Sequence, residues 1–327
     1  MTGQLTNWAG NVAFQATRLH RPATVAELQS VVATADRVRA LGAGHSFSRI
    51  ADTTGVLVSV AGLPRVLDID RDRAQVTVSA GTRYGELVPH LHEAGFALHN
   101  LGSLPHISIA GACATGTHGS GDRNGNLATA VAALELVTAD GELVTLTRQD
   151  DGEDFRGAVV GLGALGVVTR LTLDLVPAFA VAQYVYDDLP VEQFAEHHAE
   201  IMSAGYSVSL FTTWRGERID QVWLKRRVDQ ADGWTPQPRW FGARRADAAR
   251  HPLPGMSPEH CTEQLGVPGP WHTRLPHFRL EFTPSSGEEL QSEYFVPRRH
   301  LADALAALAG MRERIAAVLQ GSEIRTV

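Results

Sequence analysis

Two stretches of small residues constrain the fold of this chain more than any other feature of its sequence. The first, residues 41–47, is Leu-Gly-Ala-Gly-His-Ser-Phe, and we call it the first glycine loop. The second, residues 102–121, is rich in Gly, Ala, Ser and Thr, and we call it the second glycine segment. Glycine has no Cβ, so such stretches let a large ligand lie directly against the main chain. The sequence therefore predicts a site for a bulky, phosphorylated ligand.

The order of elements around the first glycine loop excludes a Rossmann site. Thr24-Val-Ala-Glu27 is a capping-box pattern that begins an amphipathic helix ending near Ala35, and residues 38–41 then predict a buried strand. A Rossmann fingerprint requires a strand, the pattern G-x-G-x-x-G and a helix, in that order. Here Phe47 replaces the third glycine, and no helical pattern follows.

Size and charge narrow the class of protein further. A chain of 327 residues is long enough for two domains. Its net charge of −7 gives no basic field that would bind nucleic acid. No apolar run approaches the roughly 20 residues of a membrane span, and the polar N-terminus predicts no leader peptide. Cys113 and Cys261 cannot form a disulfide framework, so we expect a reducing, cytoplasmic setting. We also expect a monomer with neither nucleic-acid nor membrane partners.

Hydrophobic periodicity predicts an α+β fold with two domains, residues 1–177 and 178–327. In the first domain, short strands alternate with helices. Hairpins are predicted over residues 66–79 and 133–147, helices over 84–94, 108–114 and 155–162, and strands over 56–60, 96–99 and 166–176. The second domain is predicted as an antiparallel sheet with covering helices. Its strands are placed at residues 206–214, 221–227, 278–282, 293–297 and from 323 onward, its long helix at 298–319, and a long loop at 233–254.

His45 is the candidate nucleophile of the first glycine loop. A histidine in a glycine-rich loop is more often an ordinary loop residue that hydrogen-bonds to the main chain. Gly42 and Gly44, however, let a planar group approach closely. A neutral imidazole is nucleophilic and can bond to a ring methyl of a flavin. The hypothesis is therefore a flavin site in which His45 bonds covalently to the flavin.

The second glycine segment supports a phosphate site more strongly than a purely structural role. A close-packed helix against a sheet explains residues 110–114, but residues 115–121 are too flexible for a core and too long for a turn. Consecutive main-chain N–H groups at such a bend bind anions, and a pyrophosphate is the natural occupant. His45, His99, His106 and His118 raise a metal alternative, but their spacing matches no compact ligand pattern, so no metal site is predicted.

Glu323 and Arg325 are a third candidate functional feature, after the two glycine-rich stretches. Residues two apart in a strand share a face, so both side chains are expected to project together. They are either an exposed ion pair of little energetic value or a paired acceptor and donor for substrate hydroxyls, and the spacing alone does not decide between these.

Together these stretches resemble the alditol oxidase branch of the vanillyl-alcohol-oxidase-type flavoenzymes. The resemblance covers essentially the whole chain. It includes Asn7-Trp-Ala-Gly-Asn11, the first glycine loop, Ser103-Leu-Pro-His-Ile-Ser108, Ala114-Thr-Gly-Thr-His-Gly-Ser-Gly121, Leu162-Gly-Ala-Leu-Gly-Val-Val-Thr169, Tyr206-Ser-Val-Ser-Leu-Phe211, Val222-Trp-Leu-Lys-Arg-Arg227, Cys261-Thr-Glu-Gln264, Gly269-Pro-Trp271, Glu281-Phe-Thr-Pro-Ser-Ser-Gly287, Gln291-Ser-Glu-Tyr294 and Glu323-Ile-Arg-Thr-Val327.

The resemblance implies a two-subdomain FAD-binding domain of the PCMH type followed by a substrate (cap) domain. It implies that His45 carries FAD covalently. Ser103, Glu323 and Arg325 match substrate-binding positions at the flavin. The implied FAD contacts are Ala40, Leu41, Gly42, Ala43, Gly44, His45, Ser46, Ser103, Ser108, Gly111, Thr115, Gly116, Thr117, His118 and a main-chain group near Val168.

The implied reaction converts the terminal CH–OH of an alditol such as xylitol or sorbitol to the aldose, with O2 reduced to H2O2. Gly102 is compatible with an oxidase, because a small residue there eases oxygen entry in related flavoenzymes. Two alternatives stay open: an aldonolactone oxidase or dehydrogenase, and an FAD-binding protein without turnover. The second arises because the family continues past residue 327 with a segment whose lysine contacts substrate, which implies a C-terminally truncated chain. The lysine of this chain, Lys225, lies in a different motif.

Overall fold

The structure is a computed structural model that describes residues 5–16, 18–230, 233–281 and 289–327. These residues form two compact units. The first contains residues from 5–118, 125–177 and 289–292, and the second contains residues from 119–124, 178–281 and 293–327. The six residues 119–124 therefore group with the second unit, whereas the sequence-based boundary placed them in the first domain.

The first unit combines three small sheets with four α-helices in its described part. A five-stranded antiparallel sheet has the order β4-β5-β9-β7-β8, a parallel sheet has the order β1-β3-β2, and β6 pairs with β10. The strands are β1 (Arg18–His20), β2 (Val38–Ala40), β3 (Val56–Val58), β4 (Leu67–Asp70), β5 (Gln75–Ser79), β6 (Phe96–Ala97), β7 (Val131–Val137), β8 (Leu143–Thr147), β9 (Val167–Asp174) and β10 (Val176–Pro177). The helices are α1 (Val25–Thr34), α2 (Tyr84–Glu93), α3 (Ile109–Ala114) and α4 (Gly152–Val159).

Local sequence signals account for much of this unit. The Thr24 hydroxyl accepts the N–H of Glu27 at 3.1 Å, which confirms the predicted start of α1. Leu28 and Val32 on one face of α1 pack against Val58 and Val167. The two predicted hairpins, β4–β5 and β7–β8, and the small-residue helix α3 are also confirmed. The parallel pairing of β1 and β2 with β3 was not predicted, because it joins segments that are distant in the sequence.

The second unit is built on one seven-stranded sheet. Its order is β14-β15-β11-β13-β12-β17, and β16 pairs with β11. The strands are β11 (Ala180–Pro190), β12 (Ser207–Thr212), β13 (Arg218–Arg227), β14 (Arg239–Trp240), β15 (Ala243–Arg245), β16 (Gly269–Pro270) and β17 (Ser322–Arg325). The helices are α5 (Val191–Ser203), α6 (Leu301–Ala309) and α7 (Arg312–Ala316).

The two faces of this sheet differ in polarity. Val208, Leu210, Val222 and Leu224 belong to one apolar cluster, together with buried side chains of α5 and α6. Successive side chains of a strand point to opposite faces, so the residues between them face the other way. That second face, which we call the polar face, carries Ser207, Ser209, Trp223, Lys225, Glu323 and Arg325.

Three predictions for the second unit were wrong. The helix over residues 298–319 is interrupted at Gly310 and Met311, because Met311 has non-helical torsion angles (φ −110°, ψ 6°) and glycine weakens a helix interior. Residues 293–297 belong to no strand of the described part of the chain. In the predicted strand 278–282, Phe278 forms only an isolated bridge with Cys261, and Phe282 lies outside the described residues.

Other elements of the second unit were missed. Within the predicted loop 233–254, β14 and β15 form a hairpin whose two turn residues, Phe241 and Gly242, both have positive φ. The long strand β11 and the helix α5 were not predicted at all. None of the described helices has the length and hydropathy of a membrane span.

Candidate functional site

The first glycine loop is held in place by the N-terminal segment of the chain. The Trp8 N–H donates to the Gly44 carbonyl at 2.8 Å, and the Asn7 side-chain amide donates to the Ser46 carbonyl at 2.9 Å. The Trp8 ring stacks on His45 with 4.9 Å between ring centroids and 27° between planes. In the sequence, the Asn7-to-Asn11 motif stood out only for its resemblance. The supporting role of Asn7 and Trp8 was missed, because it depends on a contact between distant segments.

His45 is neutral at physiological pH. Partial burial lowers the pKa of its imidazole to about 4, and the nearby His106 and Arg83 act in the same direction. A neutral ring keeps one nitrogen lone pair available, which is the form that acts as a nucleophile. The electrostatics of the loop therefore suit the chemistry predicted for His45.

The approach of this loop to α3 leaves little room for a Cβ beside the Ser108 hydroxyl. The Ala43 N–H donates to the Ser108 hydroxyl at 3.3 Å. A Cβ on Gly42 would lie 2.6 Å from that hydroxyl oxygen, and a Cβ on Gly111 would lie 2.8 Å from it. Gly44 has φ +74°, a conformation that strains residues with a Cβ. The loop and the start of α3 are therefore brought together by residues without side chains.

The loop also presents main-chain donors. In the part of the chain that the structure describes, the N–H groups of Gly42, Gly44, His45 and Ser46 have no acceptor from the protein. Several unpaired N–H groups within one short bend form an anion-binding concavity. This donor set, next to a surface without side chains, fits the pyrophosphate and the planar ring system of FAD.

The second glycine segment lies directly around α3. The Thr117 N–H donates to the Ala112 carbonyl at 2.9 Å, and the Thr115 hydroxyl donates to the Gly111 carbonyl at 2.9 Å. Gly116 between them has φ +69°. A Cβ on Gly102 would lie 3.6 Å from the Thr117 methyl, so the residue beside Ser103 adjoins the same turn.

The remaining predicted cofactor positions lie at the end of β2, in β9 and in the second glycine segment. Val168 lies in β9, where the carbonyl of the next residue, Thr169, accepts the N–H of Ala80. The Ala80 carbonyl in turn accepts the N–H of Ala110 in α3 at 3.3 Å. Ala40 and Leu41 end β2 and enter the first glycine loop, and the side chain of His118 is buried. Main-chain hydrogen bonds through Ala80 thus link β9 to α3.

In the second unit, Glu323 and Arg325 lie on the polar face. Phe211 pairs with Glu323 and Ser209 with Arg325 in the β12–β17 ladder. The Arg325 guanidinium lies 3.4 Å from the Glu323 carboxylate, and each side chain is about one fifth exposed (20% and 21%). Burial acts to raise the pKa of Glu323, but the charge of Arg325 and a hydrogen bond from His277 lower it below its usual range. The predicted common face is confirmed, and the pair is not the exposed ion pair of the alternative interpretation.

Lys225 and His277 complete this cluster and were missed from the sequence. Lys225 is only 1% exposed, and its Nζ contacts the carbonyls of Leu275 at 2.5 Å and Pro276 at 3.1 Å. Nζ also lies 3.1 Å from Nδ1 of His277, whose Nε2 lies 3.1 Å from Glu323 Oε1. A single lysine in a chain rich in arginine was the one available signal, because lysine is rarely buried without a specific partner.

The histidines and cysteines do not form a metal site in the described residues. No group of three or more His, Cys, Asp or Glu side chains lies within metal-binding distance there. His99 instead lies 3.3 Å from the Gly125 carbonyl and 3.4 Å from the Thr129 hydroxyl. Cys113 and Cys261 are buried thiols, and burial raises the pKa of each to about 12.

Comparison with known proteins agrees with this arrangement. Residues 16–147, which include the first glycine loop and the second glycine segment, match the family described as FAD binding domain. The matched part of the first unit, residues 16–147, is therefore an FAD-binding domain of the vanillyl-alcohol-oxidase type. The chain is also 53% identical to an alditol oxidase of Streptomyces sp. over 330 aligned residues, which cover 100% of this chain and 77% of that relative. It belongs to the alditol oxidase family of FAD-dependent oxidases.

Similarity to lactone-oxidising relatives is more limited. The chain is 43% identical to an L-gulono-1,4-lactone dehydrogenase of Mycobacterium tuberculosis over 183 residues, which cover 55% of this chain and 42% of that relative. It is 38% identical to the L-gulonolactone oxidase of Mus musculus over 180 residues, covering 54% and 41% respectively. These matches cover little more than half of the chain, whereas the alditol oxidase match covers all of it.

Proposed function

We propose that this protein oxidises the terminal CH–OH of alditols such as xylitol and sorbitol to the aldose, and that O2 is reduced to H2O2. The observation that carries the proposal is the 53% identity over the whole chain, because it includes the unit that holds Glu323 and Arg325. FAD, when bound, supplies the two-electron chemistry of this reaction. We assign FAD binding to residues 1–177 and substrate binding mainly to residues 178–327.

The proposed substrate contacts suit a polyol. Each hydroxyl of a polyol can donate one hydrogen bond and accept others. The Glu323 carboxylate accepts, and the Arg325 guanidinium donates from a fixed planar group. Together they would orient the hydroxyl chain, while Ser103 would contact the reacting end. The cluster of acceptor and donor on one strand face supports these roles.

We further propose that His45 carries FAD covalently and that the remaining predicted contacts hold it. The neutral imidazole, its stacking on Trp8 and the unpaired N–H groups of the loop support this assignment. The proposed contacts are Ala40, Leu41, Gly42, Ala43, Gly44, His45, Ser46, Ser103, Ser108, Gly111, Thr115, Gly116, Thr117, His118 and the main chain at Val168.

Acid precipitation of the purified protein tests the covalent link. The yellow colour should stay with the pellet for the natural chain and for His99→Ala, a matched control whose imidazole lies near the Gly125 carbonyl and the Thr129 hydroxyl rather than in the first glycine loop. It should move to the supernatant for His45→Ala. Colour released from the natural chain would defeat the proposed link, although not FAD binding itself.

Substrate comparison tests the reaction. Xylitol, sorbitol and L-gulono-1,4-lactone should be supplied with and without O2, and H2O2 and product measured. Aldose and H2O2 from the alditols are expected. Preferred turnover of the lactone would instead favour the lactone oxidase alternative, and FAD binding without any turnover would indicate that residues 1–327 bind the cofactor but do not suffice for catalysis.

A further inference from the structure

Lys225 has a bonding environment that matches an ammonium group. Three acceptors surround its Nζ: the carbonyls of Leu275 and Pro276 and Nδ1 of His277. An ammonium has three N–H donors and no acceptor lone pair, so each donor has one partner. With Nδ1 of His277 accepting from Lys225, a neutral His277 ring must carry its one proton on Nε2.

The His277 ring is fixed in orientation as well as in tautomer. Phe211 and Trp223 contact it edge to face, at centroid distances of 5.4 and 5.3 Å. Its side chain is only 7% exposed, so water does not replace its partners. Burial and the charge of Lys225 lower the pKa of His277 to about 4, which keeps the ring neutral. The ring therefore donates from Nε2 to Glu323 Oε1.

We propose that Lys225 and His277 are positioning residues for Glu323: the ammonium fixes the histidine tautomer, and the histidine holds the carboxylate in the orientation that accepts substrate hydroxyls. This inference rests on the proposed polyol-binding role of Glu323. Oε1 is engaged by His277, while Oε2 faces Arg325. A Glu323 without the bond from Nε2–H would have more rotational freedom and a weaker preference for one orientation.

The hydrogen-bonded network of Lys225, His277 and Glu323 is expected to respond to pH. Burial lowers the pKa of Lys225 to about 7, opposed by the charge of Glu323 and by Cys261. When Lys225 loses a proton to solvent, its amine can accept a hydrogen bond from Nδ1. The ring proton of His277 can then move from Nε2 to Nδ1. The lone pair left on Nε2 would face the carboxylate of Glu323.

Other charged groups lie near Lys225, His277 and Glu323 and contribute to the electrostatics of this network. Arg325 faces both His277 and Glu323, and Glu293 forms an ion pair with Arg325 at 3.2 Å. The charge of Arg279 acts to lower the pKa of Cys261. Of these, Arg325 acts directly on the Glu323 carboxylate, because its charge lowers the pKa of that group. Above neutral pH, the loss of charge at Lys225 is therefore the expected change.

Nuclear magnetic resonance of the FAD-loaded protein tests the geometry without reference to activity. Because Lys225 is the one lysine in the sequence, lysine labelled with 13C at Cε gives a single signal whose titration reports this residue directly. With 15N-labelled histidine, the His277 signals are identified by their absence in His277→Gln. We expect protonation at Nε2 at pH 6 and a change of ring signals that follows the Lys225 titration. Protonation at Nδ1 at pH 6, or ring signals independent of the lysine titration, would overturn the proposal.

Kinetics with xylitol test the consequence for substrate. Lys225→Met should raise KM about tenfold, as expected for weakening one hydrogen bond to a charged group, with a smaller effect on kcat. His277→Gln can supply both an acceptor and a donor without tautomers, so its KM should lie closer to that of the natural chain than the KM of His277→Leu. For the natural chain, KM should rise above neutral pH as Lys225 loses its charge, and His277→Gln should not show this rise.

Thr262→Val is the matched control for a merely structural effect. The Thr262 hydroxyl donates to the same Pro276 carbonyl at 2.7 Å, and it lies 3.4 Å from the main-chain carbonyl of His277 rather than bonding to the ring. This variant should lower thermal stability while leaving KM and its pH profile unchanged. An equal rise in KM for Thr262→Val and Lys225→Met would overturn the positioning role. If neither the natural chain nor any variant oxidises xylitol but the tautomer behaves as expected, the proposed function fails and the geometry stands.

Discussion

Replacing Gly42 with alanine should weaken FAD binding by a calculable steric effect. The new methyl carbon would lie 2.6 Å from the Ser108 hydroxyl oxygen, whereas unstrained carbon–oxygen contacts begin at about 3.3 Å. The loop must therefore move by about 0.7 Å, or Ser108 must turn away from the Ala43 N–H it accepts. Overpacking of this size costs about 1–3 kcal/mol, which corresponds to about 5- to 140-fold in affinity if the bound loop cannot relax.

The assay is a titration of apoprotein with FAD, followed by quenching of flavin fluorescence, in a His45→Ala background that keeps binding reversible. Ser108→Ala supplies the matched control. It removes the clashing oxygen and leaves Ser108 Cβ and Gly111 Cα as the nearest atoms, both at 3.8 Å. Ser108→Ala alone loses one hydrogen bond, worth about 0.5–1.5 kcal/mol, and the added Gly42→Ala change should then cost nothing further. If Gly42→Ala weakens binding equally in both backgrounds, a clash with Ser108 is not the cause.

Further predictions concern titration and substrate. Covalent attachment at His45 should stay constant from pH 8 to near 5 and decline only toward pH 4, because the neutral ring persists to its lowered pKa of about 4; a decline already centred near pH 6.5 in an incorporation assay would contradict this. For Lys225, the unfolded chain keeps its proton up to the ordinary pKa of 10.5 while the folded chain releases it near 7, so the unfolding free energy should rise with pH between these values, by at most about 1.4 kcal/mol per pH unit. Urea unfolding should show this rise in the natural chain and not in Lys225→Met. Gly102→Ala should fold and bind FAD, since its Cβ meets nothing closer than 3.6 Å, and stopped-flow reoxidation should be slower if this position admits oxygen. Glu323→Gln should raise KM for xylitol more than it lowers kcat, and an unchanged KM would remove Glu323 from the substrate site.

The sequence alone was sufficient for features that depend on neighbouring residues. The Thr24 cap, the β4–β5 and β7–β8 hairpins and the small helix α3 follow from local hydrogen bonding and periodicity. The two glycine stretches, with the wrong element order for a Rossmann site, indicated a flavin before any contact was known. The common face of Glu323 and Arg325 also follows from strand geometry alone.

Tertiary structure decided which distant groups meet. Lys225 reaches His277 across 52 positions in the sequence, and His277 reaches Glu323 across 46. These contacts depend on the register in which β12, β13 and β17 pair, and a one-residue slip would send every side chain to the opposite face. No local pattern encodes that register. The sequence therefore determined that a glycine-lined cofactor site exists. The folded sheet determined that a buried lysine and a buried histidine lie next to Glu323, the carboxylate proposed to bind substrate.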